Sequence, residues 1–138
     1  AGTFVEAGWE VERLLATTDI GICFDPGHLL VGRVDPIPAL KAWGDRVNHI
    51  HLKDASTKIL DELLGADEPT ESIYASGAFC PLGEGAVDLD ALLAHVRASG
   101  FAGWLVVEQD LVPDSKESIV RAGEQQRANR EFLRERGF

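Results

Sequence analysis

Short apolar runs alternate with amphipathic, capped stretches along this whole chain, and that order leaves few folds open. β–α alternation is the pattern of a parallel sheet with helices packed outside it. Glu6 to about Thr17 reads as a helix in which Val11, Leu14 and Leu15 form the buried stripe, and Thr18 and Asp19 close it. Ile20-Gly21-Ile22-Cys23-Phe24 is apolar at consecutive positions, which suits a strand buried on both faces, and it ends in the turn Asp25-Pro26-Gly27-His28. Asp35-Pro36 then opens a helix, the Asp as cap and the Pro in the first turn, where its missing N–H does no harm. Ile37, Leu40 and Trp43 face inward on it.

The second strand spans Val47 to Leu52 and runs into Lys53 and Asp54. The stretch from Ala55 to Gly85 is expected to hold a short helix around Ile59 to Leu64 and then loop, a length of connection that usually serves a binding site. Asp88 caps the clearest helix, with Leu89, Leu92, Leu93 and Val96 at helical spacing and Gly100 where a left-handed terminal residue belongs. Trp104-Leu105-Val106-Val107 is the third strand. Asp114 or Ser115 starts a last helix that runs to about Arg136. The fold class is therefore α/β, with about three parallel strands and flanking helices, in a single domain over 1–138.

In a parallel barrel the reactive groups stand at the carboxyl ends of the strands. Here all three ends are polar: Asp25 and His28 follow the first strand, His49 and His51 close the second, and Glu108 terminates the third. Side chains alternate along a strand, so His49, His51 and Lys53 share one face while Ile50 and Leu52 take the other. An Asp, a His and a Glu at one end of a barrel make an oxygen and nitrogen donor set suited to Mn²⁺, Zn²⁺, Co²⁺ or Mg²⁺. Such an ion polarises a ketone, so that a neighbouring base can remove the adjacent C–H proton. Blander roles compete at each position. Asp25 before Pro-Gly can be a turn former, His28 a helix cap, Lys53 a salt-bridged lysine and Asp110 a solvated carboxylate. Gly83-Glu84-Gly85 is a weak phosphate cradle, because glycine pairs are common in loops.

Taken together and in order, Phe24-Asp25-Pro26-Gly27-His28, His49-Ile50-His51-Leu52-Lys53-Asp54, Leu82-Gly83-Glu84-Gly85 and Trp104 to Asp110 resemble the xylose isomerase-like barrels. That family includes sugar isomerases and epimerases, inosose dehydratases and the endonuclease IV group. The opening Gly2-Thr3-Phe4-Val5-Glu6 and the segment Val11 to Asp19 look most like inosose dehydratases. The resemblance implies that Asp25, His51 and Glu108 are metal ligands and that His28 lies beside the substrate; His49 and Lys53, from the strand face they share with His51, are further catalytic candidates. It implies a small sugar or cyclitol substrate. A family barrel takes about 250 residues or more, which makes this chain the C-terminal part of a (β/α)8 TIM barrel, with a fourth ligand contributed upstream of Ala1. The extra Asp and His ligands of the endonuclease branch are replaced here by Gly77, Ala78, Phe79 and Cys80.

Charge narrows the partners. A formal net charge of −10 repels phosphate backbones and anionic membranes, so no nucleic acid and no membrane is expected. Cys23 and Cys80 have no C-x-x-C spacing and read as packing residues in a reducing cytoplasm. A second reading, from another class, is a non-catalytic half-barrel that acts only by association with a missing barrel half or as a homo-oligomer, since open parallel edges invite pairing.

Overall fold

The computed structural model describes residues 5–65 and 70–138. Gly2-Thr3-Phe4, singled out in the sequence, lies outside them. In chain order the elements are helix α1 (Gly8–Thr17), strand β1 (Ile22–Phe24), α2 (Pro26–Val31), α3 (Pro36–Trp43), β2 (Val47–Leu52), β3 (Asp54–Ala55), α4 (Thr57–Gly65), α5 (Thr70–Ala75), β4 (Phe79–Cys80), α6 (Leu89–Ser99), β5 (Trp104–Val107) and α7 (Lys116–Glu135). No helix among the described residues is long and apolar enough to cross a membrane. The chain divides into two compact units. One holds the residues up to Leu52 together with Val87–Val106, the other Lys53–Ala86 with Val107–Phe138.

The first unit contains the three-stranded sheet, in the order β1-β2-β5. β1 and β2 pair in parallel, Cys23 opposite His49 and Phe24 opposite Ile50. Phe24, Ile50 and Leu52 are buried, as are Leu40 and Trp43 of α3 and Leu92, Leu93 and Val96 of α6. Burial of these side chains is the main stabilising term, at about 1.5–3 kcal/mol each before conformational entropy is counted. Local chemistry sets the helix ends. Asp35 accepts from the Ile37 N–H at 3.1 Å, Asp88 accepts from the Ala91 N–H at 2.9 Å, and Gly100 ends α6 at φ 68°. At α1 the Glu10 carboxylate accepts from the Glu6 and Ala7 N–H groups, both at 2.8 Å. The Arg46 guanidinium donates to the carbonyls of Leu15, Thr18 and Ile20, which ties the exit of α1 to the start of β2.

Three expectations change here. β1 begins at Ile22, and it is not buried on both faces: Phe24 points into the core while Cys23 is exposed. A run of apolar residues records composition and leaves open which face is covered. Cys23 is consequently not a packing residue. Asp25-Pro26-Gly27-His28 is no simple turn either, because Asp25 caps α2 and Pro26 occupies its first position, the same Asp-Pro device that opens α3.

The second unit pairs β3 with β4 antiparallel, Asp54 opposite Cys80 and Ala55 opposite Phe79. The stretch expected to be a short helix and loop thus also carries α5 and this two-residue ladder, while residues 66–69 of it lie outside the description. Strands of two residues are too short to show a period of two. α7 starts at the cap Ser115, whose hydroxyl accepts from the Ser118 N–H at 3.1 Å, and its Asn129 is fully buried.

Candidate functional site

In the first unit, chain direction brings Asp25 to the carboxyl end of β1 and His51 to the matching end of β2, with His49 in mid-strand opposite Cys23. Capping fixes the Asp25 carboxylate: its Oδ1 accepts from the His28 N–H at 3.0 Å. Oδ2 is left facing two imidazoles, His51 Nδ1 at 3.3 Å and His28 Nε2 at 3.9 Å. The carboxylate is 12% exposed and the two histidines 27% and 28%, so the group is sheltered yet open to a small molecule. Two donors each about 2.1 Å from one ion stand about 3.0 Å apart at a right angle and about 3.4 Å at the tetrahedral angle. The Asp25–His51 separation falls in that range, so these two residues fit a shared divalent ion. His49 meets His51 edge to face, with ring centroids 5.2 Å apart. A cavity of about 350 Å³ opens beside this group, lined among others by Glu6, Val11, Phe24, Asp25 and His28.

Lys53 and Glu108, the remaining sequence candidates, belong to the second unit. The Lys53 ammonium, only 1% exposed, lies 2.7 Å from Asp110 Oδ2 and 3.3 Å from Glu108 Oε2, with the Phe79 ring 5.1 Å away. A buried ammonium requires such compensation. The arrangement matches the salt-bridge role of Lys53 weighed in the sequence. Asp110 is not merely solvated, since it holds the shorter of the two ion pairs.

Asp54 is the residue whose part the sequence understated. Its carboxylate is fully buried and accepts from the backbone N–H groups of Ala55 at 2.9 Å, Gly83 at 2.9 Å and Gly85 at 3.0 Å. The Gly83-Glu84-Gly85 loop therefore wraps a side chain of its own protein, and two of its donors are committed. The glycines are needed for that approach: a Cβ on Gly85 would overlap the Asp54 carboxylate, and Gly83 has φ +87° with the Phe132 ring behind it. The Asn129 amide accepts from the Leu82 N–H at 2.8 Å, and Gln109 donates to Gln125 at 3.2 Å. Cys80 is disfavoured as a thiolate. Burial, and then the charges of Asp54 and Glu84, push its thiol up to about 12.

A family model for the xylose isomerase-like TIM barrel matches residues 1–136. An inosose dehydratase of Bacillus thuringiensis (strain Al Hakam) is 30% identical over 138 residues, covering 98% of this chain and 45% of that protein. The rhizopine catabolism protein MocC of Rhizobium meliloti is 32% identical over 123 residues, covering 88% of this chain and 38% of its own length. Among solved structures, the probable 3-DHS dehydratase AsbF involved in petrobactin synthesis, from Bacillus anthracis, superposes with a TM-score of 0.62 at 20% identity, over 90% of this chain and 44% of that one. For the 3-keto-D-glucoside 4-epimerase YcjR from E. coli the TM-score is 0.55 at 17% identity, over 94% and 41%. At those identities the structural likeness concerns the fold. The chain spans less than half the length of these relatives.

Proposed function

Because this chain belongs to the xylose isomerase-like TIM barrel family, we propose that it serves a divalent-metal-dependent isomerase, epimerase or dehydratase acting on a sugar or cyclitol ketone. The observation that carries the reading is the Asp25–His51 pair, two donors 3.3 Å apart at the carboxyl ends of adjacent parallel strands. In this reading Asp25 and His51 hold the ion, with Glu108 as the third ligand that the family resemblance implies. The ion, when bound, supplies Lewis acidity that lowers the barrier to removing the proton beside a carbonyl.

The chain's own residues do the rest. Asp25 is kept in place by the α2 N-terminus, so its Oδ2 is oriented before any ligand arrives. His28 and His49 are the proton carriers of choice, because an imidazole can both take and return a proton near neutral pH. Lys53 acts as a positioning residue, its ammonium drawing the Glu108 carboxylate to one place while Asp110 balances the remaining charge. Support for an inosose-like substrate comes from the relatives at 30–33% identity, several of which are inosose dehydratases.

The test is calorimetric titration of metal-free protein with Mn²⁺, comparing wild type with Asp25→Asn, His51→Ala and Glu108→Gln, followed by assays on inosose and ketoses. Each substitution is expected to weaken binding by about tenfold to a hundredfold or more. Variants that bind Mn²⁺ like wild type, or metal-free protein that converts a ketone as fast as the loaded form, would sink the reading.

A further inference from the structure

β1 and β2 place a second donor set on the face of the sheet that carries His51. Cys23 is the register partner of His49, and ligand atoms of Cys23, His49 and His51 all lie within 4.8 Å of one another. From these three residues we infer a soft-metal site in the first unit, one that takes a thiophilic divalent ion such as Zn²⁺ or Co²⁺ through one sulfur and two ring nitrogens. It shares His49 and His51 with the residues proposed above, and differs from them in its sulfur donor, Cys23.

Two observations support it, the donor chemistry and the geometry. The donor types are those of borderline and soft ions, whereas Mg²⁺ and Mn²⁺ prefer oxygen. The geometry is close to closure, since a sulfur at about 2.3 Å and a nitrogen at about 2.1 Å from one tetrahedral ion stand about 3.6 Å apart. No separation therefore has to shorten by more than about 1.2 Å from the 4.8 Å bound, and Cys23, exposed on its strand, has room to rotate about χ1. Binding would release the Cys23 thiol proton to solvent and form a metal–thiolate bond, with no change of oxidation state.

The test is Co²⁺ titration of the purified metal-free chain, followed by the thiolate-to-cobalt charge-transfer absorption. Wild type is expected to develop the band at one equivalent, Cys23→Ser to lack it, and His49→Ala to need about tenfold more Co²⁺ or worse. Cys80→Ser and Glu108→Gln should keep it. Circular dichroism checks the fold of each variant, and Cys23→Ser alters an exposed side chain. No band in folded wild type overturns the inference, and so does a band that survives Cys23→Ser and disappears in Cys80→Ser. Mn²⁺ affinity lost in Asp25→Asn and Glu108→Gln but retained in Cys23→Ser would separate the two sites, because failure of one leaves the readout of the other intact.

Discussion

Replacing Asp54 by alanine should cost the protein about 3 kcal/mol of stability. The figure follows from the three N–H groups its carboxylate accepts, from Ala55, Gly83 and Gly85. Ala55 is fully buried, so its N–H would be stranded at the full cost of about 1–3 kcal/mol. Gly85 is half-buried and contributes about 1 kcal/mol, while the exposed Gly83 recovers water and loses less. Relief of the desolvation of a buried carboxylate offsets part of the sum. Asp54→Asn keeps one acceptor oxygen and should lose about half as much. Urea unfolding is the assay: the midpoint should fall with the slope unchanged. Hydrogen exchange at 83–86 should quicken in step, since the loop loses its anchor. A change of less than about 1 kcal/mol in Asp54→Ala would refute the argument that the carboxylate organises this loop.

Two further outcomes can be checked directly. At neutral pH an aromatic disulfide reagent should modify the exposed Cys23 quickly and spare Cys80, whose thiol burial pushes up to about 12; equal rates at both would contradict the assigned environments. Glu10 is held below its usual 4.5 by the backbone N–H of Glu6 and then that of Ala7, so its contribution to the start of α1 is present above pH 4.5 and disappears as pH falls through the lowered value. NMR titration of the Glu6 and Ala7 amides should therefore give a midpoint under 4.5, and one at or above it would remove the cap from the account.

The sequence by itself determined the β–α order, because its signals are local. Asp35-Pro36, Asp88 and Gly100 act within one helical turn, and the 3.6 and 2.0 periods of α6 and β2 show in their own residues. It also placed Asp25 and His51 at strand ends, since chain direction alone does that, whereas His49 lies in mid-strand opposite Cys23. Reading Asp25-Pro26 as a turn missed α2, although the same pair at Asp35-Pro36 read correctly as a helix start. The difference was the short, glycine-containing segment that follows Pro26. Only the tertiary structure decided the partners: Lys53 meets Asp110 across 57 positions, and Asp54 meets Gly83 and Gly85 across 29 and 31. No periodicity encodes such pairs, because they depend on where separate segments come together. The exposure of Cys23 was decided in the same way, by which face of β1 the helices cover, and so the residue that looked like packing became a metal-ligand candidate.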